Sequence, residues 1–203
     1  MKSPSRPYRM TTRARAVEET RTRVLDATLA LHEERLTADI SLADVAERAA
    51  VSVQTVLRHF GSREGLVEAA LAHGAATVED ERRVEAGDVT AAVASVVAHY
   101  ERRGDGVLLL LAQEGSEPFV RTVTDRGRAM HRNWVEASFG PLLPTARAER
   151  AEAVDLLVVA TDVYTWKLLR RDGGLTVGRT RARIESLVRA VLALHAGLSG
   201  PQT

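Results

Sequence analysis

Residues 41–66 read SLADVAERAAVSVQTVLRHFGSREGL, and this stretch predicts two short helices around a tight turn. From Leu42 onward, apolar residues recur at the i, i+3, i+4 and i+7 spacing of a helix that is buried on one side. Ser41 stands before this helix and Asp44 lies in its first turn, so the two side chains can cap it reciprocally. The first helix therefore starts at Ser41.

A second helix is predicted to follow almost at once. Ser52 can cap its start, and only Ala50 and Val51 connect it to the end of the first helix at Ala49. Helices joined so tightly cannot lie parallel and must cross steeply. This is the geometry of a helix-turn-helix unit, whose second helix can enter a DNA groove.

The second helix presents a polar and positively charged outer face. Gln54 can pair with an adenine edge, Arg58 with guanine or phosphate, and Thr55 and His59 with phosphate oxygens. The residues that anchor the opposite side to the core are Val51, Val56 and Phe60.

Periodicity leaves two positions of this helix open. Val53 and Leu57 fit either burial in the core or an outward position. We expect both side chains to face DNA, where an apolar group can contact a thymine methyl group.

Four segments of the chain together resemble the N-terminal domain of a known protein family. They are RVLDAT at 23–28, ISLADVA at 40–46, VSVQTV at 51–56 and HFGSREGL at 59–66. This linked set resembles the TetR family of bacterial transcriptional regulators. The resemblance implies a DNA-binding domain in the first part of the chain.

The resemblance also implies roles for individual residues. In the family, the positions matched by His59 and Arg63 commonly contact phosphate, and Thr55 lies on the recognition helix. Two positions depart from the family pattern, since Leu57 replaces a usual aromatic residue and Ala50 replaces a usual glycine. The backbone at Ala50 must therefore tolerate a methyl group. The full set of expected DNA contacts is Ser41, Ser52, Val53, Gln54, Thr55, Leu57, Arg58, His59 and Arg63.

Composition narrows the possible classes of protein. The 203 residues allow a sizeable core, and the absence of cysteine excludes a disulfide framework, a thiolate metal site and a cysteine nucleophile. The longest apolar run, residues 107–112, is too short to span a bilayer, and no apolar signal segment follows the basic N-terminus. We therefore expect a cytoplasmic protein with no membrane contact.

The net charge of +1 argues against a nonspecific coat on nucleic acid, but the charge is unevenly distributed. Up to residue 15 the chain has no acidic residue and carries these cations: Lys2, Arg6, Arg9, Arg13 and Arg15. We expect residues 1–11 to form a basic flexible arm. It either contacts the DNA backbone or minor groove, or remains a solvated tail.

Helical patterns continue through the rest of the chain, and no alternation typical of strands occurs. Helix one is predicted from Thr12 to about residue 34, and helix four from Arg63 to about residue 83. Breaks are predicted at residues 87, 103–106, 115–116, 140–144 and 172–174. We therefore predict an all-α fold, with a three-helix helix-turn-helix domain over residues 12–71 and a bundle of about six helices over residues 72–203. Residues 107–112, apolar on every side, predict a buried central segment.

The second domain combines aromatic surface with a few polar groups, which is the mixture that a ligand pocket needs. An ordinary core with satisfied polar residues has the same composition. The candidate ligand contacts are Tyr100, Gln113, Glu114, Phe119, His131, Trp134 and Tyr164.

The last two helices, predicted over residues 146–171 and 176–198, carry more apolar residues than a single bundle needs. In the TetR family the final two helices pair with those of a partner, so the resemblance implies a homodimer. The alternative is that these stripes complete the core of one chain. The candidate interface residues are Leu156, Val163, Leu187, Val191 and Leu194.

The sequence contains no recognisable catalytic motif, and its histidines are scattered without metal-ligand spacing. Residues 79–81, followed by Arg82 and Arg83, have the pattern of a solvated helix face. We expect no cofactor, no metal and no enzymatic activity.

The predicted function is that of a homodimeric repressor, which a small-molecule effector releases from a palindromic operator in double-stranded DNA. The alternative is an effector-independent DNA-binding or interaction module whose bundle only dimerises.

Overall fold

The computed structural model describes the backbone of residues 6–196 and the side chains of residues 14–196. Within this range helices alternate with short turns and no strand occurs, so the all-α prediction is confirmed. The α-helices are α1 (Arg6–Glu34), α2 (Leu42–Arg48), α3 (Val53–Phe60), α4 (Arg63–Glu81), α5 (Val89–Gln113), α6 (Pro118–Phe139), α7 (Arg147–Ala160), α8 (Val163–Lys167) and α9 (Val177–Ala196). Short 3₁₀ turns cover Thr37–Asp39 and Gly140–Leu142, and a π-helical turn covers Leu168–Asp172.

Residues 1–5 of the predicted basic arm, residues 1–11, lie outside the described residues, whereas the backbone of residues 6–11 is helical, so the expectation of a flexible segment is wrong for that part. The described part of α1 begins at Arg6, before the predicted start of the helix at Thr12. Contact between the arm and DNA stays a prediction.

The chain divides into two compact units, Met1–Gly74 and Ala75–Thr203. The division falls within α4, close to the predicted domain boundary after residue 71.

Local capping defines the two short helices of the first unit. The Ser41 side chain accepts a hydrogen bond from Asp44 N at 3.2 Å, and Asp44 Oδ2 accepts one from Ser41 N at 2.8 Å. At α3, Thr55 N donates to Ser52 Oγ at 3.1 Å. Both predicted caps are confirmed, and each satisfies a backbone donor that would otherwise lack a partner.

The turn between α2 and α3 contains a strained residue. Ala50 has a φ of +53°, which is the left-handed region where glycine is favoured. The tight connection that the sequence predicts is thus made without the glycine that would adopt it most easily.

The first unit has its own apolar core. Its most deeply buried side chains, each with at most 1% of its surface exposed, are Val24, Leu31, Val56 and Leu66. Burying an aliphatic side chain of this size contributes about 1.5–3 kcal/mol. Because Val56 belongs to α3, its burial fixes which face of α3 points outward.

The second unit is built around α5, which packs against α6, α8 and α9. The residues at the centre of its core include Val93, Val96, Phe139, Leu157, Trp166 and Ile184.

The predicted break at residues 103–106 is wrong, because α5 runs through these residues without interruption. Gly104 is needed for packing instead. A Cβ atom at this position would lie 2.5 Å from Cζ3 of Trp166. The glycine therefore lets the indole ring of α8 lie directly against the backbone of α5.

Two further expectations about the second unit are wrong. The single helix predicted over residues 146–171 is interrupted at Thr161, because the side chain of Asp162 accepts from Tyr164 N at 2.8 Å and caps a new helix. The apolar segment 107–112 is only half-buried, and Ala112 is exposed. This segment packs on the core with one side and leaves the other accessible.

None of the helices within the described residues is long and apolar enough to cross a membrane.

Candidate nucleic-acid interface

The residues of α3 divide into an exposed outer face and a buried inner face. Val53 is 37% exposed and Leu57 is 38% exposed, whereas Val56 is fully buried. The two positions that periodicity left open therefore lie outside the core. Gln54 and Arg58 are exposed on the same helix, and the remaining residues of the predicted face, Thr55 and His59, are half-buried.

Arg58 is the most accessible cation on this face. Within residues 14–196, no carboxylate forms an ion pair with its guanidinium group. An exposed guanidinium without a fixed partner retains its donors for a phosphate or for the edge of a guanine.

Ser41 and Ser52, both predicted DNA contacts, form hydrogen bonds at the starts of α2 and α3. The Ser52 and Thr55 hydroxyl groups are 3.0 Å apart, at the first turn of α3. Hydrogen bonds from the side chain and backbone N–H of Ser41 hold the pKa of Asp44 below its ordinary value. These serines lie at the starts of α2 and α3, where free backbone N–H groups also favour a phosphate.

Arg63 has a structural role that sequence reasoning did not anticipate. Its Nη2 donates to the carbonyl oxygens of Thr37 and Ile40, each at 3.2 Å. These contacts fix the start of α4 against the segment that leads into α2. The other N–H groups of the guanidinium are not engaged by these two bonds, because arginine has five donors.

Contacts with α1 complete the first unit. The Arg21 guanidinium carbon lies 4.8 Å from the centre of the Phe60 ring at the end of α3. On α2, Arg48 forms a forked ion pair with Glu34, with its Nη1 2.6 Å from Oε2. The predicted helical pattern of α1 gave no signal for either pair, since both join residues far apart in sequence.

The candidate ligand contacts do not form one cluster. Tyr100 is buried and its hydroxyl donates to Thr161 O at 3.1 Å, and Gln113 donates to Leu109 O at 2.8 Å. Glu114 is ion-paired with Arg128, Phe119 is half-buried, and Tyr164 is 52% exposed. Only His131 and Trp134 stack, with ring centres 5.5 Å apart.

A groove of about 510 Å³ lies on one side of the second unit. Trp134 is the one candidate ligand residue that lines it. The other lining residues are Val78, Glu79, Arg82, Arg83, Val84, Arg126, Ala129, Met130, Asn133, Ala137 and Ser138. In the expected solvated face at residues 79–81, residues 79 and 80 are exposed, but the adjacent Arg82 is only 5% exposed because the aromatic residues of α5 and α6 cover it. Within the described residues, no cluster of histidine and carboxylate side chains could hold a metal ion.

The candidate dimer residues divide into two groups. Leu156, Leu187 and Leu194 are 38%, 45% and 56% exposed, and Val191 is half-buried. Val163 is 4% exposed and belongs to the core of its own chain, because the break before α8 turns it inward. An additional exposed apolar residue of α7, missed by the sequence pattern, is Val159 at 64% exposure.

Known sequences match this chain in its first unit and beyond it. The family described as bacterial regulatory proteins, tetR family, matches residues 24–70. The chain is also 33% identical over 145 residues to the HTH-type transcriptional regulator BetI of Burkholderia mallei (strain NCTC 10229). That similarity covers 64% of this chain and 73% of the relative. BetI of Burkholderia pseudomallei (strain K96243) matches to the same extent.

Solved structures share the fold. A tetR-family transcriptional regulator from Streptomyces coelicolor superposes with a TM-score of 0.69 and 18% identity, over 90% of this chain and 84% of that one. A transcriptional regulator from Rhodococcus sp. Rha1 gives 0.63 and 16%, over 85% and 96% of the two chains. At these identities the similarity concerns the fold alone.

The matched residues 24–70 contain the capped helices α2 and α3 together with the exposed face of α3. The local geometry and the sequence similarity thus point to the same part of the chain. The chain belongs to the tetR family of bacterial regulatory proteins and is a DNA-binding transcriptional regulator.

Proposed function

We propose that this protein is a homodimeric repressor that leaves a palindromic operator when a small molecule binds its second unit. The observation that carries the DNA-reading part of the proposal is the outer face of α3. Gln54 and Arg58 are exposed there, while Val56 on the opposite side is fully buried. The helix is therefore held by its apolar side and offers its polar side to a groove.

Each residue of this face has a role that follows from its chemistry. Gln54 pairs with an adenine edge and Arg58 with guanine or phosphate. Thr55, His59 and Arg63 contact phosphate oxygens, and Ser41 and Ser52 lie beside them at helix starts. The apolar residues that face thymine methyl groups are Val53 and Leu57.

Dimerisation supplies the specificity that one short helix lacks. Two copies of α3, separated by one DNA turn of ~34 Å, read a palindrome. The exposed apolar residues of α7 and α9, namely Leu156, Val159, Leu187 and Leu194, support a self-complementary interface. The basic arm, residues 1–11, adds contacts with the DNA backbone.

In this proposal residues 12–71 bind DNA, and residues 72–203 bind the ligand and form the dimer. A ligand can shift the protein away from its DNA-bound state only if it binds the two states with unequal affinity. The groove lined by Arg82 and Trp134 supports a ligand site in the second unit. A regulator that binds the bacterial chromosome acts in the cytoplasm.

The DNA-reading proposal is tested by sequencing genomic fragments that the full-length protein retains, followed by titration of the recovered sequence. We expect a palindromic motif and a clear preference over random DNA. Arg63→Ala should lower the slope of log affinity against log salt by about one unit, because one phosphate contact is lost. Equal affinity for the recovered motif and random duplex would overturn the proposal.

A further inference from the structure

The feature that the DNA-reading function leaves unused is Arg82, the residue that follows the last residue of α4. It is 5% exposed and lines the groove of the second unit. Arginine is almost never fully buried unless it is paired, because a guanidinium group that leaves water loses its hydration and needs a partner to compensate. The contacts of Arg82 therefore show whether an anion that would balance its charge is present.

The protein surrounds the Arg82 guanidinium with neutral groups. Its carbon lies 5.2 Å from the ring centre of Tyr100 and 5.7 Å from that of Trp134. Its Nη1 lies 3.2 Å from Nδ1 of His131, and its Nε has no hydrogen-bond partner. Across the described residues, no carboxylate forms an ion pair with Arg82.

The hydrogen bonds of His131 show that it is neutral. The Thr161 hydroxyl donates its one proton to Leu157 O at 2.7 Å, so it accepts from His131 Nε2 at 3.1 Å. Nδ1 therefore carries the lone pair that accepts from Arg82. Burial, reinforced by the positive charge of Arg82, lowers the pKa of His131 to about 4.

Asp162 is an acidic group that interacts electrostatically with Arg82, but the two side chains form no ion pair. Burial raises the pKa of Asp162, and its side chain accepts from Tyr164 N at 2.8 Å instead. The charge of Arg82 is therefore stabilised by two aromatic rings and one imidazole, without an anion in direct contact.

The groove itself has an apolar wall and an excess of positive charge. The apolar lining residues are Val78, Val84, Ala129, Met130, Trp134 and Ala137. The charged lining residues are Glu79, Arg82, Arg83 and Arg126. Arg83 is 78% exposed in its side chain and already pairs with Asp80 at 2.8 Å. Arg82 is thus the cation of the groove that is both shielded from water and unpaired.

We propose that the effector groove binds an amphipathic carboxylate, whose carboxylate group pairs with the Arg82 guanidinium and whose apolar part lies against Trp134 and Met130. This inference rests on the proposed effector response and names the chemical class of its ligand. A carboxylate supplies the acceptor that Nε lacks, in a hydrogen bond strengthened by charge. The groove volume of about 510 Å³ lies in the range of about 300–1,000 Å³ that small-molecule sites occupy.

The position of Arg82 explains how such a ligand affects DNA binding. Arg82 N donates to Val78 O at 3.0 Å, which continues the hydrogen-bonding pattern of α4. The same helix begins at Arg63, directly after the Gly61 and Ser62 that end α3. A ligand that pairs with Arg82 therefore acts on the end of a helix whose first turn follows the recognition helix directly in the chain.

The test measures binding by calorimetry with full-length protein and two matched probe pairs, decanoate against decanamide and 2-naphthoate against 2-naphthamide. We expect at least one carboxylate to bind about tenfold or more tightly than its amide, because only the carboxylate forms a charge-assisted pair. Arg82→Gln should abolish this preference. The matched control Arg83→Gln, which changes an exposed arginine of the same groove, should leave it intact.

A second pair of variants leaves the Arg82 contacts unchanged, in case Arg82→Gln does not fold. Ala129 is exposed and lines the groove, so Ala129→Glu places a negative charge beside the ligand. It should weaken carboxylate binding and spare amide binding, whereas Ala129→Gln should affect both equally. If both carboxylates bind no more tightly than their amides to the unaltered protein, the inference is overturned.

Operator binding without probes separates this inference from the proposed function. An intact operator preference together with no carboxylate preference would overturn only the assigned ligand class. Carboxylate binding that leaves operator affinity unchanged would support the site and overturn its role as the effector switch. Loss of operator preference in the protein without ligand would overturn the DNA-reading proposal itself.

Discussion

Two arginines in this protein lie in opposite environments, and the difference indicates what each can bind. Arg58 on α3 is exposed and has no fixed partner in the described part of the chain. Arg82 beside the groove is 5% exposed and is held by Tyr100, Trp134 and a neutral His131. An exposed guanidinium suits a long polyanion that stays hydrated. A buried one suits a small anion that leaves water, because the attraction is stronger in a medium of lower dielectric constant.

The largest expected effect tests whether the surroundings of Arg82 are neutral. Burial lowers the pKa of His131 to about 4 and that of His99 to about 3, from an ordinary value of 6.5. Both groups thus contribute stability that is complete above pH 6.5, and they lose it as the pH falls toward their folded-state values. For each histidine, the free energy of unfolding should fall by up to about 1.4 kcal/mol per pH unit, which is at most about 2 kcal/mol between pH 6.5 and 5.

Urea unfolding at closely spaced pH values measures this dependence. His131→Gln should reduce the slope, whereas Arg58→Ala, a change in the exposed region, should leave it unchanged. A flat profile from pH 6.5 to 5 would mean that these imidazoles take up protons as readily in the folded chain as in the unfolded chain, and the neutral environment assigned to Arg82 would be wrong.

The next effect tests whether packing fixes the buried region. Gly104→Ala places a methyl group against the Trp166 ring, which packs on Tyr100 at 5.9 Å between ring centres. We expect a loss of about 1–3 kcal/mol in the free energy of unfolding, as for other overpacked cores. Gly127→Ala on α6 is the control, since a Cβ atom there meets nothing within 4 Å. It should gain about 0.5–1 kcal/mol from helix propensity, and equal effects at the two sites would contradict the packing argument.

A comparable effect is expected on DNA binding, with no effect on the fold. Arg58→Ala should weaken operator binding by about 1–3 kcal/mol if Arg58 contacts a base, and binding to random DNA should change little. If it contacts phosphate, affinity for both DNAs should fall equally. Titration of operator and random duplex at one salt concentration distinguishes the two cases, and unchanged affinity for both would remove Arg58 from the interface.

The smallest effect concerns the turn that positions α3. Ala50 has a φ of +53°, so Ala50→Gly should relieve strain and stabilise the protein. After the greater flexibility of the unfolded chain is allowed for, the net gain should be about 0.5–1 kcal/mol. Ala49→Gly, at a residue with a φ of −82°, should instead destabilise the protein. A loss of stability on Ala50→Gly would show that the turn is not strained.

Much of the first unit could be predicted from the sequence, because local rules govern it. Ser41, Asp44 and Ser52 define helix starts through bonds that span only three residues. The burial of Val56 follows from helical periodicity. Val53 and Leu57 stayed ambiguous because periodicity alone admits both faces, and the packing of α3 on its neighbours decided between them.

In the second unit, features that depend on contacts between residues far apart in sequence could not be predicted. Gly104 had the appearance of a break, yet it makes room for Trp166, a contact between α5 and α8 that no local pattern encodes. Asp162 interrupts a helix that its apolar stripe would have continued. Val163 then faces the core of its own chain instead of a partner.

The sequence by itself determined the helix-turn-helix unit and its polar recognition face, because capping and periodicity act between residues that are close along the chain. Only the tertiary structure decided that Arg82 leaves the solvent. Its burial depends on Tyr100, His131 and Trp134, which come from two other helices. A charge of this kind has no signature in its own neighbourhood, since its energy is set by groups that only folding brings together.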